Sequence, residues 1–96
     1  MAAYLIVDTV LEDPGLYEEY KSKARPIVER FGGEYLARGG SMTLRETDLW
    51  SPQRLVLVRF PDVETANRCL DSIEYQEILQ ISKRSARRSV VIVDGL

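Results

Sequence analysis

Arg30-Phe-Gly-Gly-Glu-Tyr-Leu-Ala-Arg-Gly-Gly40 decides how the chain divides. Two glycine pairs bracket a short segment of alternating character, so Gly32 falls where a helix should end and Gly39-Gly40 where a strand bends, bulges or admits another backbone closely. This pattern predicts a strand from Glu34 to about Glu46, interrupted at Gly39-Gly40. By strict alternation Tyr35 and Arg38 fall on opposite faces of it, and a bulge at the glycine pair would shift the register only beyond them. The two side chains are the first candidates for a ligand-facing pair, and the alternation sets them apart.

Upstream, Asp13-Pro14 is a helix start: the carboxylate accepts from a free backbone N–H, and Pro in the first turn has none to lose. The helix should run to about Phe31. Leu16, Tyr20, Ala24, Ile27 and Phe31 form its apolar stripe, and Pro26 should bend it. Before it, Tyr4 to Val10 reads as a strand with Tyr4, Ile6 and Asp8 on one face and Leu5, Val7 and Thr9 on the other. Downstream, Thr47 to Pro52 is a connection that holds Trp50. Arg54 to Phe60 is the clearest strand, apolar on both faces until Arg59.

Pro61-Asp62 opens a second helix with Val63, Ala66, Cys69, Leu70 and Ile73 inward, and Ser72 caps a further short helix containing Tyr75, Ile78, Leu79 and Ile81. Lys83, Arg84, Arg87 and Arg88 read as a solvated helix end that complements the dipole. Val90 to Val93 is the last strand. The order describes an α+β fold, a ferredoxin-like βαββαβ arrangement with a four-stranded antiparallel sheet. Its helices can cover one face of the sheet, yet the strands are apolar on both. A second copy of the chain should bury the other face, so the subunits are expected to pair as a dimeric α+β barrel.

Composition narrows the chemistry. With 96 residues and a formal net charge of -2, the chain is one domain, residues 1–96, and bulk binding to nucleic acid or an anionic membrane is not expected. The N-terminus meets a charge too early for a signal-peptide core and no apolar run is long enough to cross a bilayer, so the expected address is cytoplasmic. The sequence has no His and one Cys, Cys69. That removes the usual general base, the Cys-based zinc sites and any intrachain disulfide, and no carboxylate cluster suggests a metal. No cofactor is expected, and Cys69 reads as a small core residue.

Several segments resemble one family. Asp13-Pro-Gly-Leu-Tyr-Glu-Glu-Tyr20, Phe31-Gly-Gly-Glu-Tyr-Leu-Ala-Arg-Gly-Gly40, Trp50-Ser-Pro-Gln-Arg-Leu-Val56, Ser72-Ile-Glu-Tyr75 and Val91-Ile-Val-Asp-Gly95 are similar to the domain-of-unknown-function 1330 family over almost the whole chain. The resemblance implies the dimeric α+β barrel superfamily, in which two ferredoxin-like subunits pair their sheets. That superfamily holds cofactor-free monooxygenases, isomerases, cyclases and dehydratases beside members without known activity. Tyr35, Arg38, Trp50 and Tyr75 match the family pattern. Arg45-Glu-Thr-Asp-Leu before Trp50, Arg59 before Phe60-Pro61, and Ser82 depart from it, which points to a more anionic ligand.

The candidate pocket residues are therefore Tyr35, Arg38, Trp50, Tyr75, Tyr20, Asp8 and Arg59. Arg38 can anchor a carboxylate or oxyanion, or else form an ion pair with Glu46 or Asp48. The aromatic residues can line a cavity or simply fill core and interface. Asp8, if buried, would have a raised pKa suited to a general base; otherwise it lies near a strand end or pairs with Arg59 or Arg54. The reading is a small-molecule-binding homodimer, in its sharper form a cofactor-independent enzyme of monooxygenase, isomerase or cyclase type acting on an aromatic or polyketide-like metabolite. The alternative is a non-catalytic dimeric structural or stress-related protein.

Overall fold

The computed structural model describes Met1–Leu96. Its elements are β1 (Ala3–Leu11), α1 (Pro14–Arg30), β2 (Glu34–Arg38), β3 (Leu55–Phe60), α2 (Val63–Asp71), α3 (Ile73–Ser85) and β4 (Ala86–Asp94). The four strands form one sheet in the order β2-β3-β1-β4, every neighbouring pair antiparallel. This is the ferredoxin-like arrangement, with the second helical segment divided in two.

Helix starts follow from side-chain chemistry. Asp13 Oδ1 accepts from the Leu16 N–H at 3.1 Å, Asp62 Oδ1 from the Thr65 N–H at 2.6 Å, and Ser72 Oγ from the Tyr75 N–H at 3.2 Å. Ser72 ends α2 as well as starting α3, and the change of direction puts Ile73 on the first turn of α3, where it is 77% exposed instead of lying on the inner side of α2. Helix α1 is continuous through Pro26, which faces solvent, so the Ser22 carbonyl it leaves without a partner meets water.

All three helices pack on one face of the sheet, against Leu5, Val7, Val58 and Phe60. Tyr17, Tyr20, Ala24, Ile27 and Val28 are the buried side of α1. The stripe is thus rotated from the expected one, because α3 packs alongside α1 and covers its flank; Leu16 and Phe31 are left at the core's edge.

Three boundaries differ from the sequence pattern, and each bears on function. Strand β2 ends at Arg38, not near Glu46. Its only neighbour is β3, whose ladder gives out at Leu55, where the Leu55 carbonyl accepts from the Gly39 N–H at 2.8 Å. From Gly39 to Arg54 the chain forms neither strand nor helix, and Met42 and Leu44 are exposed. Strand β4 begins at Ala86, not Val90, since it pairs with β1 along its full length to Leu11. Arg87 and Arg88 are therefore strand residues on opposite faces. Finally, the irregularity in β2 lies at Leu36: Tyr35 pairs with Val58 and Ala37 with Leu57, leaving Leu36 as the extra residue.

The strands share their apolar content between two unlike faces. Leu5, Val7, Thr9, Val56, Val58 and Phe60 lie under the helices. On the other side are Tyr4, Ile6, Leu57, Val91 and Val93, which nothing in the chain covers; Val91 remains 54% exposed.

Candidate functional site

The bulge at Leu36 reverses the alternation after it, so Tyr35 and Arg38 occupy the same, helix-covered face. The Arg38 guanidinium lies over the Tyr35 ring at 4.8 Å from its centroid. Its Nη2 donates to the Lys21 carbonyl of α1 at 3.2 Å, and it makes no ion pair with Glu46, Asp48 or any other carboxylate.

Register sets out the neighbours in rows. Arg38, Val56, Val7 and Val90 stand side by side across the four strands. In the next row Thr9 lies beside Arg88, and the Thr9 N–H donates to the Arg54 carbonyl at 3.0 Å. Each arginine of this end of the sheet has a tyrosine: Arg54 lies 5.9 Å from the Tyr17 ring centroid, and Arg88 lies 5.0 Å from that of Tyr20. Gly39 makes room for one of them. At φ +71° it turns the chain out of β2, and a Cβ there would sit 2.8 Å from Arg54 Nε.

Between this corner of the sheet and helices α1 to α3 is a cavity of about 40 Å³. Its polar lining is Tyr17, Tyr20, Tyr35, Tyr75, Lys21 and the three arginines; valines, leucines and Ala24 make up the rest, and no carboxylate is among them. Lys21 is bonded to Glu18 at 2.9 Å on the exposed side of α1. That contact, helped by Arg38 and Arg54 nearby, holds the Glu18 carboxyl below its ordinary range. None of the three arginines has a carboxylate within ion-pair distance.

At the back of the cavity the phenolic oxygens of Tyr20 and Tyr75 are 2.7 Å apart. Arg88 bridges them, Nη1 donating to Tyr20 at 2.9 Å and Nη2 to Tyr75 at 3.1 Å. Burial pushes the Tyr20 phenol far above its usual range, and the neighbouring Tyr75 oxygen adds to this while Arg88 opposes it. Burial also raises Tyr35, with Arg38 working against the shift. Both phenols keep their protons at neutral pH. Burial disfavours the charge on Arg88 too, but the two phenolic oxygens outweigh it and the guanidinium stays charged. The corner thus offers proton donors and positive charge, and it holds no group poised to act as a base.

The remaining candidates lie elsewhere. Asp8, Trp50 and Arg59 are on the bare side of the sheet, away from the cavity. Asp8 fastens the long connection: its Oδ2 accepts from the Trp50 indole N–H at 2.8 Å, and its Oδ1 accepts from the backbone N–H groups of Gln53 at 2.8 Å and Arg54 at 3.0 Å. Partial desolvation pushes its carboxyl upward, but these hydrogen bonds, Arg54 foremost, hold it below the ordinary range. The general-base expectation fails on this point, since a carboxylate with three donors is stabilised in its charged form. Asp8 bonds the Arg54 backbone and makes no ion pair with the side chain of Arg54 or Arg59. Trp50 remains 51% exposed.

Arg88, Arg54 and Tyr17 are cavity residues that the sequence pattern did not single out. Extending the alternation of Val90 and Ile92 back by one step places Arg88 on the covered face, so that signal was present. No group of three or more Cys, Asp and Glu side chains stands together as metal ligands. Burial pushes the Cys69 thiol up to about 11, consistent with an inert core residue. No helix is long and apolar enough to cross a membrane.

Comparison with known proteins adds the following. The profile of the family described as domain of unknown function (DUF1330) matches residues 2–96. No curated protein matches the chain. Among solved structures, a protein of unknown function from Rhodopseudomonas palustris is 15% identical, with 99% of this chain and 82% of that one covered at a TM-score of 0.76. SnoaB, a cofactor-independent oxygenase from Streptomyces nogalater, is 12% identical, with 99% and 93% covered at 0.68. A dimeric ferredoxin-like protein of unknown function from Jannaschia sp. CCS1 is 16% identical, with 99% and 100% covered at 0.67. At these identities the likeness is one of fold.

Proposed function

The chain belongs to the DUF1330 family of unknown function, and on that premise we propose that it is a small-molecule-binding homodimer whose ligand enters the cavity beside Tyr35 and Arg38. The single observation that carries this reading is the bulge at Leu36, which brings these two side chains together at an opening walled by tyrosines and aliphatic residues, with Lys21, Arg54 and Arg88 also in its lining. Apolar walls with a few convergent polar groups are the usual make-up of a ligand site. Dimerisation is supported by the uncovered apolar face of the sheet and by the dimeric state named for the Jannaschia protein.

The sharper form is a cofactor-independent enzyme of monooxygenase, isomerase or cyclase type, acting in the cytoplasm on an aromatic or polyketide-like metabolite. SnoaB, with the same fold, lends it support. In this form Arg38 polarises a substrate oxygen, and Tyr35 or Tyr75 hydrogen-bonds to that oxygen or delivers a proton to it. The reaction would begin from a substrate acidic enough to supply its own enolate or phenolate, because the cavity contains no base.

A non-catalytic structural or stress-related dimer is the second reading. One observation favours it: the cavity of about 40 Å³ is far smaller than the several hundred Å³ of a pocket that engulfs a metabolite. On the first reading such a ligand enters head first and its body displaces side chains at the mouth.

Arg38→Ala separates the two. An intact dimer that no longer carries a metabolite seen by mass spectrometry in the native wild-type preparation supports a ligand site. Loss of the dimer, with no small molecule co-purifying with either protein, supports the structural role.

A further inference from the structure

The hydrogen-bond inventory of the cavity is lopsided. The Tyr20 and Tyr75 hydroxyls each accept from Arg88 and share one bond with each other, which uses only one of their two protons. The second phenolic O–H has no acceptor in the chain. The Arg54 side chain donates to nothing in the chain, Arg38 spends one N–H on the Lys21 carbonyl, and Arg88 spends two on the phenols. A guanidinium carries five N–H donors and no acceptor. Donors therefore outnumber acceptors severalfold, and no carboxylate lines the space to balance the charge.

We propose that this corner is an anion site for the carboxylate head of an organic monocarboxylate with an apolar body. The proposal rests on the small-molecule reading above and names the class of ligand. A carboxylate is planar, carries only acceptors and matches a guanidinium fork in geometry. It supplies the charge missing among Arg38, Arg54 and Arg88, and it accepts the spare phenolic proton. The cavity suits the head in size, while the apolar residues around it, among them Val56 and Val90, suit a hydrocarbon body. A cationic head would add a further positive charge to those already there. A neutral amide head would bring N–H donors of its own into a space already short of acceptors.

The groups that could compete are limited. Glu18 lies near enough to feel the charge of Arg38 and Arg54, but it is exposed, bonded to Lys21 and outside the cavity lining.

Sodium phenylacetate and phenylacetamide, nearly the same in shape and different in charge, make the test when titrated into the full chain and followed by calorimetry and by NMR of the tyrosine rings. Phenylacetate is expected to bind at least about tenfold more tightly, a 1.4 kcal/mol difference. Arg88→Gln and Arg38→Gln should each shrink that ratio, whereas Arg87→Gln, one residue away on the bare face, should leave it unchanged. Arg88→Lys keeps the charge without the fork, and it serves if Arg88→Gln does not fold: phenylacetate should weaken severalfold against wild type while remaining the preferred probe. Equal affinity for both probes in the wild type would overturn the anion site and leave the cavity reading standing. If neither probe shifts the Tyr20, Tyr35 or Tyr75 resonances at millimolar concentration, both readings fall.

Discussion

The two faces of the sheet are built from alternate residues of the same strands, and they have gone separate ways. Beneath the helices, tyrosines and unpaired arginines surround a small cavity. On the bare side, Tyr4, Ile6, Leu57, Val91 and Val93 form an apolar surface, with Asp8 fastening the long connection at its edge. Apolar surface and ionic groups are thus divided against the common rule that charge faces outward. The covered side holds three cations without carboxylate partners, while the centre of the open side is apolar and its cations, Arg59 and Arg87, stand towards the ends of the strands. On the function proposed above, a chain laid out this way keeps one face for a ligand and leaves the other for a partner.

Neighbouring residues on β1 give the hardest test of that division. Leu5→Asp places an unpaired carboxylate in the core and should unfold the chain, at a cost of about 4 kcal/mol or more. Ile6→Asp should leave the circular dichroism spectrum intact yet convert the dimer to monomer in sedimentation velocity. A persistent Ile6→Asp dimer would show that the bare face is not the contact.

Gly39→Ala sharpens the covered side. The positive φ alone should cost about 1–2 kcal/mol in thermal unfolding, and the added Cβ displaces Arg54 from its place over Tyr17. An unchanged melting temperature would mean that the turn is not held as described.

On the bare side, Asp8→Asn should cost about 1 kcal/mol, because hydrogen bonds to a charged acceptor are among the stronger ones but this site is partly exposed. The pH dependence has a definite sign. A carboxyl whose folded pKa is lowered stabilises the protein above its unfolded pKa, near 4, and loses that contribution as pH falls through the folded value. Asp8→Asn should therefore flatten part of the acid limb of the stability curve. It will not remove all of it, since Asp62 and Glu18 shift in the same direction. An acid limb identical to wild type would mean that the three bonds do not persist in solution.

Thr9→Val is expected to have the smallest effect, and a favourable one. The Thr9 hydroxyl is buried without any hydrogen-bond partner, so replacing it with a methyl group of similar size should raise stability by up to about 1 kcal/mol. A loss instead would mean that the hydroxyl holds a buried water.

The fold was legible wherever local chemistry speaks for itself. Asp13, Asp62 and Ser72 announce their helices by capping, and the apolar runs of β1 and β3 announce strands that are apolar on both faces. The bulge was not legible at its true place, because an extra residue in a strand needs no special side chain and Leu36 looks like any other strand residue. Gly39-Gly40 drew attention instead, and there the glycine serves a turn. Met42 and Leu44 continue the alternation with no neighbouring strand to use it, so the sequence pattern overstates the length of β2. Arg88 is hidden by company: Lys83, Arg84 and Arg87 make a plausible helix end that masks the alternation with Val90 and Ile92, and β4's pairing with β1 shows that the fourth cation points the other way.

Leu36 also fixes how this site can change over generations. Substitutions in β2 alter one side chain at a time, and losing Leu36 itself would only restore a regular ladder with the arginine still opposite Val56; one residue gained between Ala37 and Arg38 would instead carry the guanidinium one place along β3, to Leu55 on the bare side of the sheet. The stretch from Gly39 to Arg54 carries no such count, since it has no pairing register to lose. Codon gains should thus be tolerated in that connection and purged between Ala37 and Arg38, a contrast that a library of single-residue insertions would expose directly.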